Sequence, residues 1–142
     1  MKILIKGKNG SVAVMYPVEG TDIEEAVQKF HDSHPDEYLD GYVEYDGELP
    51  NRLFRDAWVL SGKKIVVDSN KAKQIHMERI RTVRNRELER LDKEQLRYLA
   101  DPWKPKELDA QKQILRDLPA NIDLSNFDVD NPFWPDELGD HV

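Results

Sequence analysis

The sequence predicts an α+β protein: a small N-terminal unit of β-hairpin, helix and strand, then a long helix within an antiparallel helical hairpin, then an extended C-terminal tail. Three observations predict this. The first 67 residues hold short apolar runs with period-2 alternation, bounded by turn residues. From Asn70 to Leu99 there is neither Gly nor Pro, and apolar residues recur at helical spacing. Beyond Pro119 the periodicity stops, and isolated apolar residues stand among Asn, Asp, Ser and Pro. The expected boundaries are therefore 1–67, 68–119 and 120–142.

In the first part, Lys2 to Lys6 and Ser11 to Tyr16 suit two strands, joined by Lys8-Asn9-Gly10, where Asn and Gly tolerate positive φ. Thr21-Asp22-Ile23-Glu24 matches a capping box, so a helix is expected from Asp22 to about Asp32, with Ile23, Val27 and Phe30 facing the hairpin. His34-Pro35 closes it, because a residue before proline avoids the helical region. Tyr42 to Tyr45 reads as a third strand. Asn51 to Trp58 reads as an irregular segment whose Phe54 and Trp58 anchor it to a core, and Trp58-Val59-Leu60 with Ile65-Val66-Val67 as a second hairpin around Ser61-Gly62-Lys63.

Ser69 is a good N-cap for the long helix. Thirty residues at ~1.5 Å rise make a rod roughly 45 Å long. Met77, Ile80, Val83, Leu88, Leu91, Tyr98 and Leu99 fall in one wide apolar arc, which leaves Leu96 outside. Asp101-Pro102-Trp103-Lys104-Pro105 breaks the helix. Leu108, Ile114, Leu115 and Leu118 then form a second stripe in a helix from about Pro105 to Leu118, which Pro119 ends. A short loop favours an antiparallel neighbour. A helix of that length spans only about 20 Å, so the Met77–Val83 stretch must meet another part of the chain or another subunit.

Composition narrows the function classes. There is no cysteine, hence no disulfide framework and no thiolate nucleophile or ligand. No apolar run approaches the ~20 residues of a membrane span. The N-terminus reads as a hairpin, not a signal peptide. No Gly-x-Ser-x-Gly, P-loop or Gly-x-Gly-x-x-Gly is present, and the many carboxylates sit in Lys- and Arg-rich surface contexts. We therefore expect no enzyme activity and no cofactor. The net charge of −7 is unevenly spread: −6 over residues 1–61, +5 over 62–99 and −6 over 100–142. The acidic ends could neutralise the basic middle within one chain or in an oligomer.

Four features are candidates for function. His31 and His34 flank a carboxylate at a helix end, but no third metal ligand is evident, so a polar helix terminus is the simpler reading. His76 borders the apolar arc and reads as a packing histidine. Arg79, Arg86, Arg90, Lys93 and Arg97 share one helix face. Such a stripe can bind phosphates, yet the acidic protein opposes a polyanion at long range, and Glu89 is spaced to pair with Lys93. A solvated face or a docking strip for acidic protein, the chain's own tail included, is preferred. In the tail, Phe127, Phe133 and Trp134 either seat in grooves of a partner or fold back to complete the helical core. With Phe54 and Trp58 these basic and aromatic residues make up the candidate protein-binding set.

The run Glu48-Leu49-Pro50-Asn51-Arg52-Leu53-Phe54-Arg55-Asp56-Ala57-Trp58 resembles a stretch found in small proteins of tailed bacteriophages and prophages. The likeness continues through Ile65-Val66-Val67-Asp68, Lys71 to His76, Arg79-Ile80-Arg81, Arg84-Asn85, Leu115-Arg116-Asp117-Leu118-Pro119 and Trp134-Pro135, and so covers about residues 48–135. This resemblance, to a family related to tail assembly chaperones and tail-associated proteins, implies a non-enzymatic structural or assembly role. It implies partners among phage tail components, self-association left open, and a location in the virion or the host cytoplasm. The alternative is a nucleic-acid-binding or regulatory phage protein that uses the basic helix face.

Overall fold

In the computed structural model, which describes residues 1–99 and 104–139, strands and helices combine as an α+β fold. The chain divides into two compact units, Met1–Ala72 and Lys73–Val142.

Unit 1 is organised around its first strand. β1 (Lys2–Lys6) is the centre of a three-stranded antiparallel sheet, with β2 (Val12–Met15) on one side and β3 (Val43–Tyr45) on the other. Successive side chains of a strand point to opposite faces, and in β1 both faces are buried. Ile3 and Ile5 pack with Val27, Ile23 and Phe30 of α1 (Ile23–Ser33). Leu4, on the other face, packs with Val12, Trp58 and Ile65. The register keeps the two sets apart: Leu4 lies opposite both Val14 and Val43, while Ile5 lies opposite Ala13. Trp58 and Ile65 belong to the second hairpin, β4 (Trp58–Ser61) and β5 (Lys64–Val67).

The turns and caps follow local chemistry, with some changes of assignment. Gly10 takes the positive φ of the first turn, at 86°. Asn9 serves through its side chain, whose Oδ1 accepts from the Ser11 backbone N–H and hydroxyl at 3.0 and 2.6 Å. The cap of α1 is Asp22, accepting from the Glu24 N–H at 3.2 Å, in place of the expected Thr21. A carboxylate at the positive end of a helix adds a charge interaction that a hydroxyl lacks. For the same reason Asp68, and not Ser69, caps α2 (Ser69–Arg97): its Oδ1 accepts from the N–H groups of Asn70 and Lys71.

The segment expected to be irregular is a 3-10 helix, Arg52–Ala57, capped by the Asn51 side chain. Phe54 and Trp58 are fully buried, as an anchoring role requires. The Arg55 guanidinium lies 4.5 Å from the Trp58 ring centroid and donates to the Val12 carbonyl at 2.7 Å. The indole N–H reaches the Asn51 carbonyl at 3.3 Å. One indole thus fills the core, ties the 3-10 helix and carries a cation on its face.

Unit 2 pairs α2 with α3 (Lys104–Asn121). Gln95 bonds Asp109 and Lys112 bonds Asp92, so position rises along α3 as it falls along α2, and the pair is antiparallel. The seam holds Ile80, Val83 and Leu91 of α2 with Leu108, Leu115 and Leu118 of α3. Asp101, Pro102 and Trp103, the expected breaker, lie outside the described residues, and the same holds for Asp140 of the tail. Pro119 does not end α3, which continues to Asn121. A proline this close to a C-terminus forfeits one backbone bond, while Leu118 and Ile122 hold the last turn in the core.

Two residues assigned to apolar stripes are on the surface. Leu99 lies beyond the end of α2 and is exposed. Ile114 is 55% exposed. It stands ~100° from Leu115 around α3, and the position it was expected to fill is taken by Lys112, only 5% exposed. The Lys112 ammonium reaches the Asp92 carboxylate at 2.5 Å and donates to the Gln95 side-chain oxygen.

Trp58 should be the most costly single truncation in unit 1. Trp58→Ala removes a fully buried indole and leaves the Arg55 guanidinium without its ring, so a loss of about 3–5 kcal/mol is expected. Urea unfolding followed by circular dichroism measures it. A loss below about 1 kcal/mol would show that the core on the Leu4 face of β1 does not depend on this residue.

Candidate functional site

The sequence places most candidates on the long helix and the tail, and unit 2 brings several of them together. Beyond α3 the chain does not stand free. Leu138, in a short 3-10 helix at Asp136–Leu138, is buried in the same core as Ile80 and Leu91, and Ile122 and Trp134 pack against that core. The part of α2 that α3 is too short to reach is therefore covered by the chain's own tail. Residues 120–139 belong with the helical pair as one unit.

His76 is the centre of that contact. It is 1% exposed. Its Nε2–H donates to the Phe133 carbonyl. The Trp134 ring meets the imidazole edge to face, with centroids 4.9 Å apart, and Phe127 lies tilted at 5.3 Å. Desolvation pushes the imidazole below its ordinary pKa. The bond to Phe133 opposes that shift, and the nearby Arg79 charge adds to it. The packing role expected for His76 is what the geometry displays, and its partners are two of the aromatics read as binding anchors.

The candidate set thus separates. Phe54 and Trp58 are core residues of unit 1 and offer no surface to a partner. Trp134 and Phe127 pack within the chain. Phe133 contributes its carbonyl inward and leaves its ring outside, 56% exposed. Arg79, Arg86, Arg90, Lys93 and Arg97 are all exposed.

Arg90 is clasped on both sides, by Glu87 at 2.5 Å and by Glu94 at 3.0 Å, and the bond from Glu87 foremost holds the guanidinium charged beyond its ordinary range. Glu78 pairs with Arg81. Among the described residues, Glu89 and Lys93 form no ion pair. Of the five basic residues, Arg90 is thus paired by glutamates of α2 itself.

The His31–His34 pair sits at the end of α1. His34 Nδ1–H donates to the Phe30 carbonyl at 3.0 Å, and the ring stacks on Phe30 at 4.4 Å, a capping arrangement. Among the described residues no group of three or more His, Asp or Glu side chains could hold a metal ion.

One feature of unit 2 was not anticipated. A groove of about 220 Å³ is lined by Glu87 and Leu91 of α2, Gln111, Ile114 and Leu115 of α3, and Glu137 of the tail. Its apolar wall includes the exposed Ile114. The helical spacing of α3 carried no signal for this: at ~100° per residue, Leu108, Lys112, Leu115 and Leu118 span about 120°, and the stripe with Ile114 in place of Lys112 spans the same arc.

Compared with models of protein families, with curated proteins and with solved structures, the chain shows no significant match to any of them.

The split between Phe133 and Trp134 is testable by single substitution. Trp134→Ala removes half-buried indole from the core edge and should cost roughly 1–3 kcal/mol. Phe133→Ala leaves the backbone carbonyl in place and should stay within about 0.5 kcal/mol. Thermal unfolding of both variants decides it, and equal losses would show that the Phe133 ring also supports the core.

The basic face should bind duplex DNA weakly and with strong salt dependence, since the protein carries a net charge of −7 and Arg90, at the middle of the face, is held by two glutamates. A dissociation constant of about 10⁻⁴ M or weaker is expected near physiological salt. Titration of Arg86→Glu/Arg90→Glu beside the wild type checks it. Tight wild-type binding that the double variant loses would reverse the ranking of protein over nucleic acid.

Proposed function

We propose that the protein is a non-enzymatic structural or assembly component of a tailed bacteriophage, acting through protein–protein contacts made by its helical unit. The observation that carries this reading is the groove beside Ile114. A branched aliphatic side chain held in water on a largely charged helical pair, next to an open apolar wall, is the kind of surface that marks a protein contact. The resemblance of residues 48–135 to tail-associated phage proteins supports the phage assignment, and much of that stretch lies in the unit bearing the groove. The expected partners are other phage structural proteins, tail components first, or further copies of the chain. The expected location is the virion or the host cytoplasm. Among the described residues, no helix is long and apolar enough to cross a membrane.

A second reading rests on a separate observation. Arg79, Arg86, Arg90, Lys93 and Arg97 fall within an arc of about 60° on α2 at ~100° per residue, and all are exposed. A phage nucleic-acid-binding or regulatory protein would use that face. The clasp of Arg90 between Glu87 and Glu94 weakens this reading, because a phosphate would have to displace two carboxylates.

Proteomic analysis of purified particles separates the structural role from the others: stoichiometric copies support a virion component, and their absence leaves a chaperone or a regulator. The contact surface is tested by Ile114→Asp. The substitution lies at an exposed site, so stability should change by no more than about 0.5 kcal/mol. Capture of phage tail proteins by the tagged chain from infected cells should fall at least roughly tenfold, the effect of about 1.4 kcal/mol at an interface. Undiminished capture would place the contact elsewhere.

A further inference from the structure

Two exposed apolar features lie on one flank of α2. The Phe133 ring is 56% exposed, although its carbonyl is held inward by His76. The groove of about 220 Å³ beside Ile114 has Glu87 and Leu91 of α2 in its wall. His76 and Glu87 stand eleven positions apart, which is about 16 Å along the helix and only about 20° around it. Glu137, four residues after Phe133, borders the groove, so the tail runs from the one feature to the other. A ring therefore stands at one end of this flank and a groove at the other, too far apart to meet within one chain. The groove has room for such a ring, since a cavity of roughly 150 Å³ already holds benzene. The charges are divided in the same way. Asp128 and Asp130 precede the ring, and Arg86 and Lys93 stand before and after the groove residues of α2. All four are exposed, and among the described residues none of them forms an ion pair. Of the net charge of −7, −6 lies in residues 1–61, so residues 62–142 together carry only −1 and two such parts repel little.

We infer that the Phe133 ring and the groove are the two halves of one contact, and that the partner filling the groove is a second copy of the chain. The inference rests on the reading of the groove as a contact surface and names its occupant. A two-fold axis across α2 seats each ring in the groove of the other copy, so one contact is made twice and closes on itself. The register follows from the helix. With the two α2 helices antiparallel, His76 of one copy lies opposite Glu89 of the other, midway between the groove residues Glu87 and Leu91. Asp128 and Asp130 follow the Phe127 ring, which lies beside His76. The same register carries them to the level that Arg86 and Lys93 of the other copy bracket. Insertion of the aromatic ring supplies most of the affinity, and the opposed charges fix the register and exclude other alignments.

Sedimentation velocity of the full chain at roughly 10 and 100 µM, a range that reaches a micromolar contact, tests the pairing. The wild type should approach twice 16.6 kDa at the higher concentration. Phe133→Ala should keep the wild-type circular dichroism and pair at least roughly tenfold more weakly, the effect of about 1.4 kcal/mol at an interface. Asp128→Lys/Asp130→Lys and Arg86→Glu/Lys93→Glu should each stay monomeric. An equimolar mixture of these two should pair again, since each variant carries the charge that the other requires. A monomeric wild type, a pair that Phe133→Ala leaves intact, or charge variants that stay apart when mixed each overturns the inference. Ile114→Asp separates that failure from failure of the groove itself. If the wild type is monomeric and Ile114→Asp still loses its capture of tail proteins, the groove is a contact surface with another occupant. If the wild type pairs and Ile114→Asp pairs equally well, the groove is not the contact and the inference falls with it.

Discussion

The burial of one flank of α2 is the constraint on which unit 2 depends. A helix that carries a charged side chain at nearly every second position gains little from burial along most of its surface, and isolated helices are marginal without tertiary packing. Ile80, Val83 and Leu91 are the residues that α2 commits to a core. At ~1.5 Å per residue α2 runs about 43 Å and α3 about 27 Å, so α3 alone cannot cover that flank. The remainder is closed by the tail, through Leu138, Trp134 and Ile122 on the apolar side and through His76 on the polar one. The tail is therefore a third layer of a core that would otherwise stand open, which explains why a segment without periodicity buries a leucine completely.

Unit 1 meets an equivalent constraint through a strand. Among the described residues β1 is the one strand with neighbours on both edges, and its faces are covered by different elements, α1 on the side of Ile3 and Ile5 and the second hairpin on the side of Leu4. A one-residue slip in its register would exchange these faces and bring Lys2 and Lys6 toward a buried position. The paired registers with β2 and β3 exclude that slip, and the Asn9–Gly10 turn sets the first of them.

Much of this was legible in the residues. Period-2 runs beside Asn9-Gly10, the Ile23, Val27 and Phe30 face, the anchoring of Phe54 and Trp58, and the Gly- and Pro-free stretch after Asn70 all correspond to observed elements. Where reading failed, two chemically valid choices stood side by side. Thr21 and Asp22, or Asp68 and Ser69, can each cap a helix, and the selection depends on backbone direction that a sequence does not carry. Pro119 reads as a terminator by local rules, while the last turn of α3 is kept by long-range packing of Leu118 and Ile122. Lys112 reads as surface by type and is buried, because Asp92 and Gln95 are brought to it by the antiparallel pairing. Phe127 and Trp134 could have served a partner or the chain itself, and only the position of His76 in space, 57 residues from Phe133, distinguishes the two.

Charge and apolar contact carry different duties in unit 2. The segregation of the sequence into acidic, basic and acidic parts invites the view that the tail is drawn to α2 by electrostatics. Among the described residues, Arg81 takes Glu78, and Arg90 takes Glu87 and Glu94, all within α2. Exposed pairs of this kind contribute little to stability, about 0–1 kcal/mol each, and they leave Asp128, Asp130 and Asp136 of the tail facing solvent. Trp134 and Leu138 in the seam and the His76 bond to the Phe133 carbonyl hold the tail by contacts that salt screens little, while the Lys73 charge is the smallest of the influences on the exposed Asp123. High ionic strength should therefore leave the tail largely in place. Insensitivity to salt separates a core completed by apolar closure from one assembled by opposite charges.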